Sequence, residues 1–433
     1  MSPRRYALVA GGGTAGHAMP ALAVARAIAQ RRGAGSVELV GSRRGVEATL
    51  LPDEGLPYEL LPGRGFSRRV NFSKLVDNLG ALAGLASATL SALRIVANRR
   101  PAVVVAVGGY ASVPVASAAV MFRIPLVLVN IDSVPGAANR LFQRFSRAST
   151  VAFANTQMAR AVVTGAPVRS EVLSVDRSDP SSSSAARAAL GVPPHVPLVA
   201  AFGGSLGAKQ INEAVLALCE LWSERSDRAI YHVVGRRDAG WAAAQARRMH
   251  DDRGPRNESV PGDEGAPGSE SVWRDERSSS GHGLDGAVLF YKQVPYEAHM
   301  ELVYQAADVA VCRAGAMTVA ELAAAGLPSV LVPLPGAPGD HQLENAKTLA
   351  QEGAAIVLLD EECTGDRLAS VLDELLADRA TSEARLAKMA SAASSLARPG
   401  AAQAIASVAE LYARPRSAGP KIANANEVRE AAR

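Results

Sequence analysis

The feature that most constrains this chain is a glycine-rich strand-to-helix turn that occurs twice. Tyr6 to Ala10 is an apolar run, followed by Gly11-Gly12-Gly13-Thr14-Ala15-Gly16 and an Ala-rich segment from Pro20 to Gln30. Leu198 to Phe202 opens the same pattern again and runs into Gly203-Gly204-Ser205-Leu206-Gly207. Turns of this kind let backbone N–H groups and a helix N-terminus approach a phosphate or sugar oxygen. Short apolar strands alternate with helical stretches after each opening. They are Val37–Val40, Ala102–Val107 and Leu126–Val129 in the first half. Ala229–Val234, Ala287–Phe290, Val309–Cys312 and Ser329–Val332 follow in the second. The alternation predicts an α/β chain of two similar halves, each a doubly wound parallel sheet, facing one another across a cleft.

The chain has 433 residues, more than one average domain holds. The expected boundaries are a first domain over 1–175 and a second over 190–395. The Ser/Asp/Arg-rich stretch Asp176–Ser184, with Pro193-Pro194 after it, reads as a linker. Residues 251–285 are rich in Gly, Pro, Ser and acid and are expected to be a disordered insertion. Residues 414–433 are expected to be a loose tail. Only 4% of residues are aromatic while 48% are hydrophobic, so the core should be aliphatic, as in buried parallel sheets.

A net charge of +4 is too weak to point to nucleic acid. It leaves room for a local patch facing anionic lipid or a phosphorylated substrate. Cys219, Cys312 and Cys363 are scattered and odd in number, which fits a reducing cytosol better than a disulfide framework. There is no CxxC pair and no Asp-x-Asp, so no metal site is expected. The uncharged run Leu79–Leu93 is shorter than the roughly 20 residues a spanning helix needs. The first apolar run is too short for a signal-peptide core. A soluble or membrane-surface protein is therefore expected.

Each motif has a plain and a functional interpretation. Glycines 11, 13 and 16 fit GxGxxG, but a dinucleotide site wants an acid at the end of the second strand, and Glu38 lies within it. His17 is either a helix-capping residue or a general base. In Cys312–Glu321, Thr318 and Glu321 are either a capping box or ligands for phosphate and vicinal ribose hydroxyls. Asp340-His341-Gln342 is either a solvated loop or a sugar contact. Arg169 is either a surface ion pair or a nucleotide contact. Gly108-Gly109-Tyr110 and Val134-Pro135-Gly136 also lie at strand ends.

Five separated motifs in order resemble the MurG family of peptidoglycan glycosyltransferases. They are GGGTAGHAMPALAVA, GGYASVP, VPGAANR, FGGSLGAKQIN, and CRAGAMTVAELAAAGLPSVLVPLP followed by DHQLENA. The resemblance runs from the first strand to about Ala413, apart from the acidic insertion. It implies a GT-B fold with a last helix, Ala401–Tyr412 within 396–413, returning to the first domain. It implies inverting transfer of N-acetylglucosamine from UDP to lipid I, the undecaprenyl-pyrophosphoryl-N-acetylmuramoyl-pentapeptide, with no cofactor. On the donor side it places Arg169 and Ser205 at the diphosphate and nucleotide, and Ala316, Met317, Thr318, Val319, Ala320 and Glu321 at phosphate and ribose. His341 and Gln342 reach the sugar, and the backbone near Glu297 faces uracil. Thr14, Ala15, Gly16 and Asp132 are counted with the donor where it meets the acceptor. His17 and Asp132 are the catalytic candidates, and Gly13, Tyr110 and Asn139 lie on the acceptor side.

One stretch departs from the family. Where a His-Glu-x-Asn stretch is usual, this chain reads Val129-Asn130-Ile131-Asp132. Either the acid has moved by two positions, or the chain is a paralogue with another acceptor or weakened catalysis. The implied partners are UDP-N-acetylglucosamine, lipid I and the anionic cytoplasmic face of the cell membrane, without nucleic acid. Arg64, Arg68, Arg69 and Lys74, ahead of the apolar Leu75–Leu93 stretch, are the expected membrane-facing cations.

Overall fold

The computed structural model describes residues 4–13, 15–63, 72–204, 206–251, 271–273, 288–377 and 379–415. The chain divides into two compact units. One runs up to Ser170 and resumes at Arg398; the other is Glu171–Ala397.

The first unit is built on seven strands: β1 (Ala7–Gly12), β2 (Val37–Ser42), β3 (Tyr58–Leu61), β4 (Val103–Gly109), β5 (Leu126–Asn130), β6 (Ala148–Val151) and β7 (Ala161–Val163). They pair in parallel in the order β3-β2-β1-β4-β5-β6-β7. This is the Rossmann order, with the strand order reversing between β1 and β4, where ligands of such sheets bind. Every residue of β1, β2 and β5 is buried, as strands covered on both faces by helices must be. The helix Ala401–Tyr412 buries Ala401, Ile405, Ala406, Val408 and Ala409, a stripe at helical spacing. It packs on the helix Ala15–Arg32, and Glu410 pairs with Arg31 and Arg32 at 3.2 and 2.6 Å.

The second unit holds β8 (Leu198–Phe202), β9 (Ala229–Val233), β10 (Ser271–Trp273), β11 (Phe290–Val294), β12 (Val309–Cys312), β13 (Ser329–Leu331) and β14 (Ala355–Val357). Their order is β10-β11-β9-β8-β12-β13-β14, with β10 antiparallel on one edge and every other pairing parallel. The same switch point recurs, between β8 and β12.

Several expectations shift. The helix after the first glycine turn starts at Ala15 and so takes Pro20 inside it. Pro20 has no N–H to offer, so the carbonyl of Gly16 gets no helical donor four residues on. The stretch expected to be a linker folds with the second unit. Helix Pro180–Leu190 is capped by Asp179, and its Arg187 binds Asp308 at 2.7 Å and the carbonyl of Ala306 at 3.1 Å. The segment expected to be wholly irregular contains β10; Asp251 ends the helix Ala239–Asp251, and the remainder lies outside the described residues. The strand expected over Ala287–Phe290 lies instead at Phe290–Val294.

Glu38 is only 1% exposed and is held by Arg5 at 2.9 Å and by Arg99 at 2.7 and 3.0 Å. It is therefore a core ion pair and no ribose ligand. Removing one member of such a cluster strands the others without compensation. Glu38→Ala should cost about 3–5 kcal/mol, seen as an earlier transition of the first unit in differential scanning calorimetry.

Candidate functional site

Three turns meet at the carboxyl end of the first sheet. The carbonyl of Gly12, leaving β1, accepts from the N–H of Tyr110, beyond β4, at 3.1 Å. A β-carbon on Gly109, where φ is +76°, would stand 1.9 Å from that oxygen, so only glycine fits. Ser112 Oγ accepts from the Gly108 N–H at 2.9 Å and lies 2.8 Å from the Ala10 carbonyl. Tyr110 donates its hydroxyl to the Pro62 carbonyl, past the end of β3, at 2.9 Å. These bonds lock the ends of β1, β3 and β4 together.

His17 sits in the first turn of helix Ala15–Arg32, half-buried, with its ring over the β4 turn. A β-carbon on Gly108 would lie 3.0 Å from its Cε1, and one on Gly109 would lie 3.1 Å from its Cδ2. Gly13 faces Tyr110 across the same corner, at 3.8 Å by the same measure. The structure thus brings Gly13, His17 and Tyr110 together. Gly16 is exposed beside them. Ala15 begins the helix, and Thr14 lies outside the described residues.

The next strand end carries the divergent stretch. Asn130 is buried; its Oδ1 accepts from Asn139 Nδ2 at 3.0 Å and from the Gly136 N–H at 3.4 Å. Its Nδ2 donates to the Asp132 carbonyl at 2.5 Å. Asn139 also bonds the Val129 carbonyl at 3.1 Å. Asn139 is therefore an internal brace of this loop, and Asp132 is the partly exposed acid on it. Arg169 belongs to the first unit, next to its boundary at Ser170.

In the second unit, the turn after β8 presses on the end of β9. A β-carbon on Gly207, at φ +87°, would lie 2.2 Å from the Val234 carbonyl. Behind it, Asn212 donates to Val234 O at 3.0 Å and to Asp238 at 3.2 Å, and its Oδ1 meets His232 Nε2 at 2.9 Å. His232 Nδ1 contacts Tyr291, which donates to Gln293 at 2.8 Å. Ser205 lies outside the described residues. The turn also spells Gly-x-Ser-x-Gly, the string of a serine-hydrolase elbow, so the letters alone do not decide its chemistry.

Helix Ala316–Ala325 follows β12 and is preceded by Gly315 at its N-cap. Ala316, Met317 and Thr318 therefore carry amides with no partner inside the helix, a ready anion site. Val319 donates back to the Gly315 carbonyl at 2.9 Å, and Ala320 follows, partly exposed. The capping-box expectation fails: Thr318 is the third helical residue, no side chain caps this end, and Glu321 lies a turn further in. Glu321 Oε2 instead accepts from Tyr304 at 2.8 Å. After β13, Gln342 Oε1 accepts from the Leu334 N–H at 3.0 Å and His341 Nδ1 meets the Pro338 carbonyl at 3.0 Å. Buried Asn345, on the helix His341–Gln351, donates to the Ala314 carbonyl at 3.2 Å. At the end of β11, both Glu297 oxygens are engaged, by Tyr231 at 2.8 Å and the His299 N–H at 2.7 Å. That leaves its backbone as what it can present.

Sequence reasoning gave no role to Glu47, Ser112, Asn212 and Tyr304, which brace the turns; Ser112 and Asn212 lie inside quoted motifs, Glu47 and Tyr304 in none. Among the described residues, no group of His, Cys, Asp and Glu could hold a metal ion, and no helix is long and apolar enough to cross a membrane.

The model of the glycosyltransferase family 28 N-terminal domain matches residues 7–151, and that of its C-terminal domain matches 269–405. The UDP-N-acetylglucosamine--N-acetylmuramyl-(pentapeptide) pyrophosphoryl-undecaprenol N-acetylglucosamine transferase of Desulforudis audaxviator is 34% identical over 94% of this chain and 98% of its own. The enzyme of the same name from Acidothermus cellulolyticus is 35% identical over 95% and 99%. The chain belongs to the MurG family. The crystal structure of Acinetobacter baumannii MurG superposes with a TM-score of 0.65 at 26% identity, covering 94% of this chain and all of the other. The fold is that of MurG and the other GT-B glycosyltransferases, with two Rossmann-like domains.

Burial holds His232 neutral, with its pKa pushed down to about 3. The folded state then binds fewer protons than the unfolded chain between that value and the ordinary histidine range. Its contribution is complete above about pH 6.5 and is lost as pH falls toward 3. The second unit should melt progressively earlier over that window, and His232→Asn should flatten the dependence in calorimetry across pH.

Proposed function

We propose that this chain transfers N-acetylglucosamine from UDP-N-acetylglucosamine to lipid I, giving lipid II in one inverting displacement, for peptidoglycan synthesis. The observation that carries the proposal is its likeness, nearly end to end, to enzymes named for that reaction. The meeting of Gly13, His17 and Tyr110 at one switch point supports an acceptor site there.

An acceptor hydroxyl attacks C1 of the sugar, and its proton passes to His17; Asp132 is the second candidate base or an orienting acid. The C1–oxygen bond to the diphosphate breaks as the new one forms. The amides at 316–318, Ser205 and Arg169 take the charge of the departing diphosphate. Glu321, oriented by Tyr304, accepts from the ribose hydroxyls, and His341 and Gln342 meet the sugar. Gln342 has its oxygen committed to Leu334, so it offers its amide N–H groups.

The site of action is the cytoplasmic face of the membrane. The cations expected to dock it, Arg64, Arg68 and Arg69, lie outside the described residues, as does the Lys74 side chain. A second feature supports docking. Met121, Phe122, Leu141 and Phe145 are exposed on or beside the packed helices Ser112–Met121 and Ala137–Phe142, flanked by Arg123, Arg140 and Arg144. Apolar residues ringed by cations suit an anionic surface.

A second reading rests on Asn130. Both ends of its amide are spent inside the loop, so at the position where the family carries an acid this chain has a brace. A paralogue with a different acceptor would be built this way.

UDP release from purified protein, with and without a lipid I analogue, tests the proposal. Acceptor-dependent release with a disaccharide product is expected. Donor binding without such release would put the paralogue first. His17→Ala should lower kcat by about 10²–10⁴-fold. If His17→Ala and Asp132→Ala both keep parental turnover, the base assignment fails. Co-sedimentation with phosphatidylglycerol vesicles should weaken in a Phe122→Ser, Phe145→Ser variant.

A further inference from the structure

Glu47 has no place in any motif, yet it is buried to 1% exposure directly beneath the first glycine turn. It opens the short helix Glu47–Leu50 after β2 and turns back toward β1. Its Oε1 accepts from the N–H of Gly13. The amides of Ser42 and of Glu47 itself also face the carboxylate.

Three glycines make room for it. A β-carbon on Gly12 would fall 1.3 Å from Oε1, one on Gly45 1.9 Å from Oε2, and one on Gly41 2.9 Å from the Glu47 Cβ. Any side chain at these positions would displace the carboxylate. Oε2 has no hydrogen-bond partner among the described residues. Burial without full pairing raises the carboxyl pKa, so this acid is kept inside at a cost to stability.

Gly13 is the residue it grips. Gly13 leads into the helix that carries His17, and the preceding Gly12 carbonyl holds Tyr110. We infer that Glu47 is a positioning residue, which fixes the Gly11–Gly13 turn through the Gly13 amide and so sets where His17 stands over Gly108 and Gly109. The consequence for turnover rests on the reaction proposed above; the consequence for the turn does not.

The test compares Glu47→Gln, which keeps the acceptor oxygen, with Glu47→Ala, which removes it. With a lipid I analogue, Glu47→Ala should lower kcat by about 100-fold, the cost of an ångström-scale misplacement. The KM for UDP-N-acetylglucosamine and the affinity for UDP should stay within about twofold, since a lost transition-state contact leaves ground-state binding alone. Glu47→Gln should restore kcat to within about threefold of the parent and melt no earlier at neutral pH, having lost a buried charge.

Hydrogen exchange gives the arm that needs no turnover. The peptide covering residues 11–17 should exchange about tenfold faster in Glu47→Ala and at the parental rate in Glu47→Gln. If Glu47→Ala unfolds, Gly45→Ala, which crowds Oε2, replaces it with the same expectations. Parental exchange in the folded Ala variant overturns the inference, as does a Gln variant as impaired as Ala. Absence of acceptor-dependent release by the parent protein overturns the proposed reaction instead, and exchange then decides the inference alone.

Discussion

Backbone pressed directly against backbone, at the end of each sheet's central strand, is the constraint on which both units depend. At the end of the first sheet the Gly12 carbonyl occupies the place a β-carbon of Gly109 would need. In the second, Gly207 and Gly235 approach each other so closely that a β-carbon on either would lie about 2 Å from the other's backbone or its neighbour's. No side chain fits at these glycine positions. The strand ends there present peptide N–H, peptide C=O and the first turn of a helix, all of fixed direction, and in the first unit the His17 ring stands over them. On the proposed function, a diphosphate or a sugar hydroxyl would be met there by groups that cannot rotate away, which is what electrostatic preorganisation requires.

Such a backbone surface has to be held from behind, and the two units do it differently. The first uses short direct bonds: Ser112 between β1 and β4, Tyr110 to the end of β3, Glu47 on Gly13. The second uses a buried relay from Gln293 through Tyr291 and His232 to Asn212, ending on the Val234 carbonyl beside Gly207. Burial keeps His232 neutral, and the one ring proton it then carries is donated from Nε2 to Asn212 Oδ1, which can only accept. Buried polar groups of this kind are tolerable because each is satisfied by another.

The parts legible in the sequence were those whose signal is local. Glycine turns after apolar runs marked the central strands of both sheets, and the second half's repeat of the first gave two doubly wound units. Edge strands were lost: β3, β7 and β14 are short and only partly buried, so their apolar runs are weak. Helix Pro180–Leu190 was lost because four consecutive serines resemble a linker, although Asp179 and Pro180 form a sound N-cap and first position. Glu321 was marked by the motif and not by local spacing. Its partner Tyr304 lies on another helix, and no periodicity reports a contact across the fold.

Glu47 shows why the support of a site is harder to read than the site. The motif residues announce themselves because the ligand demands particular backbone freedom in consecutive positions. A support residue answers to shape in three dimensions. The sequence does hold a trace of it, in Gly41 and Gly45 on either side of the β2 end, where no turn type calls for both. Read with the fold in hand, they are the walls of a recess with one carboxylate inside. Charge kept in such a recess gives up solvation that an alanine would never forfeit. Its retention against that cost is the physical argument that the Gly13 amide has to be held there, and not merely covered.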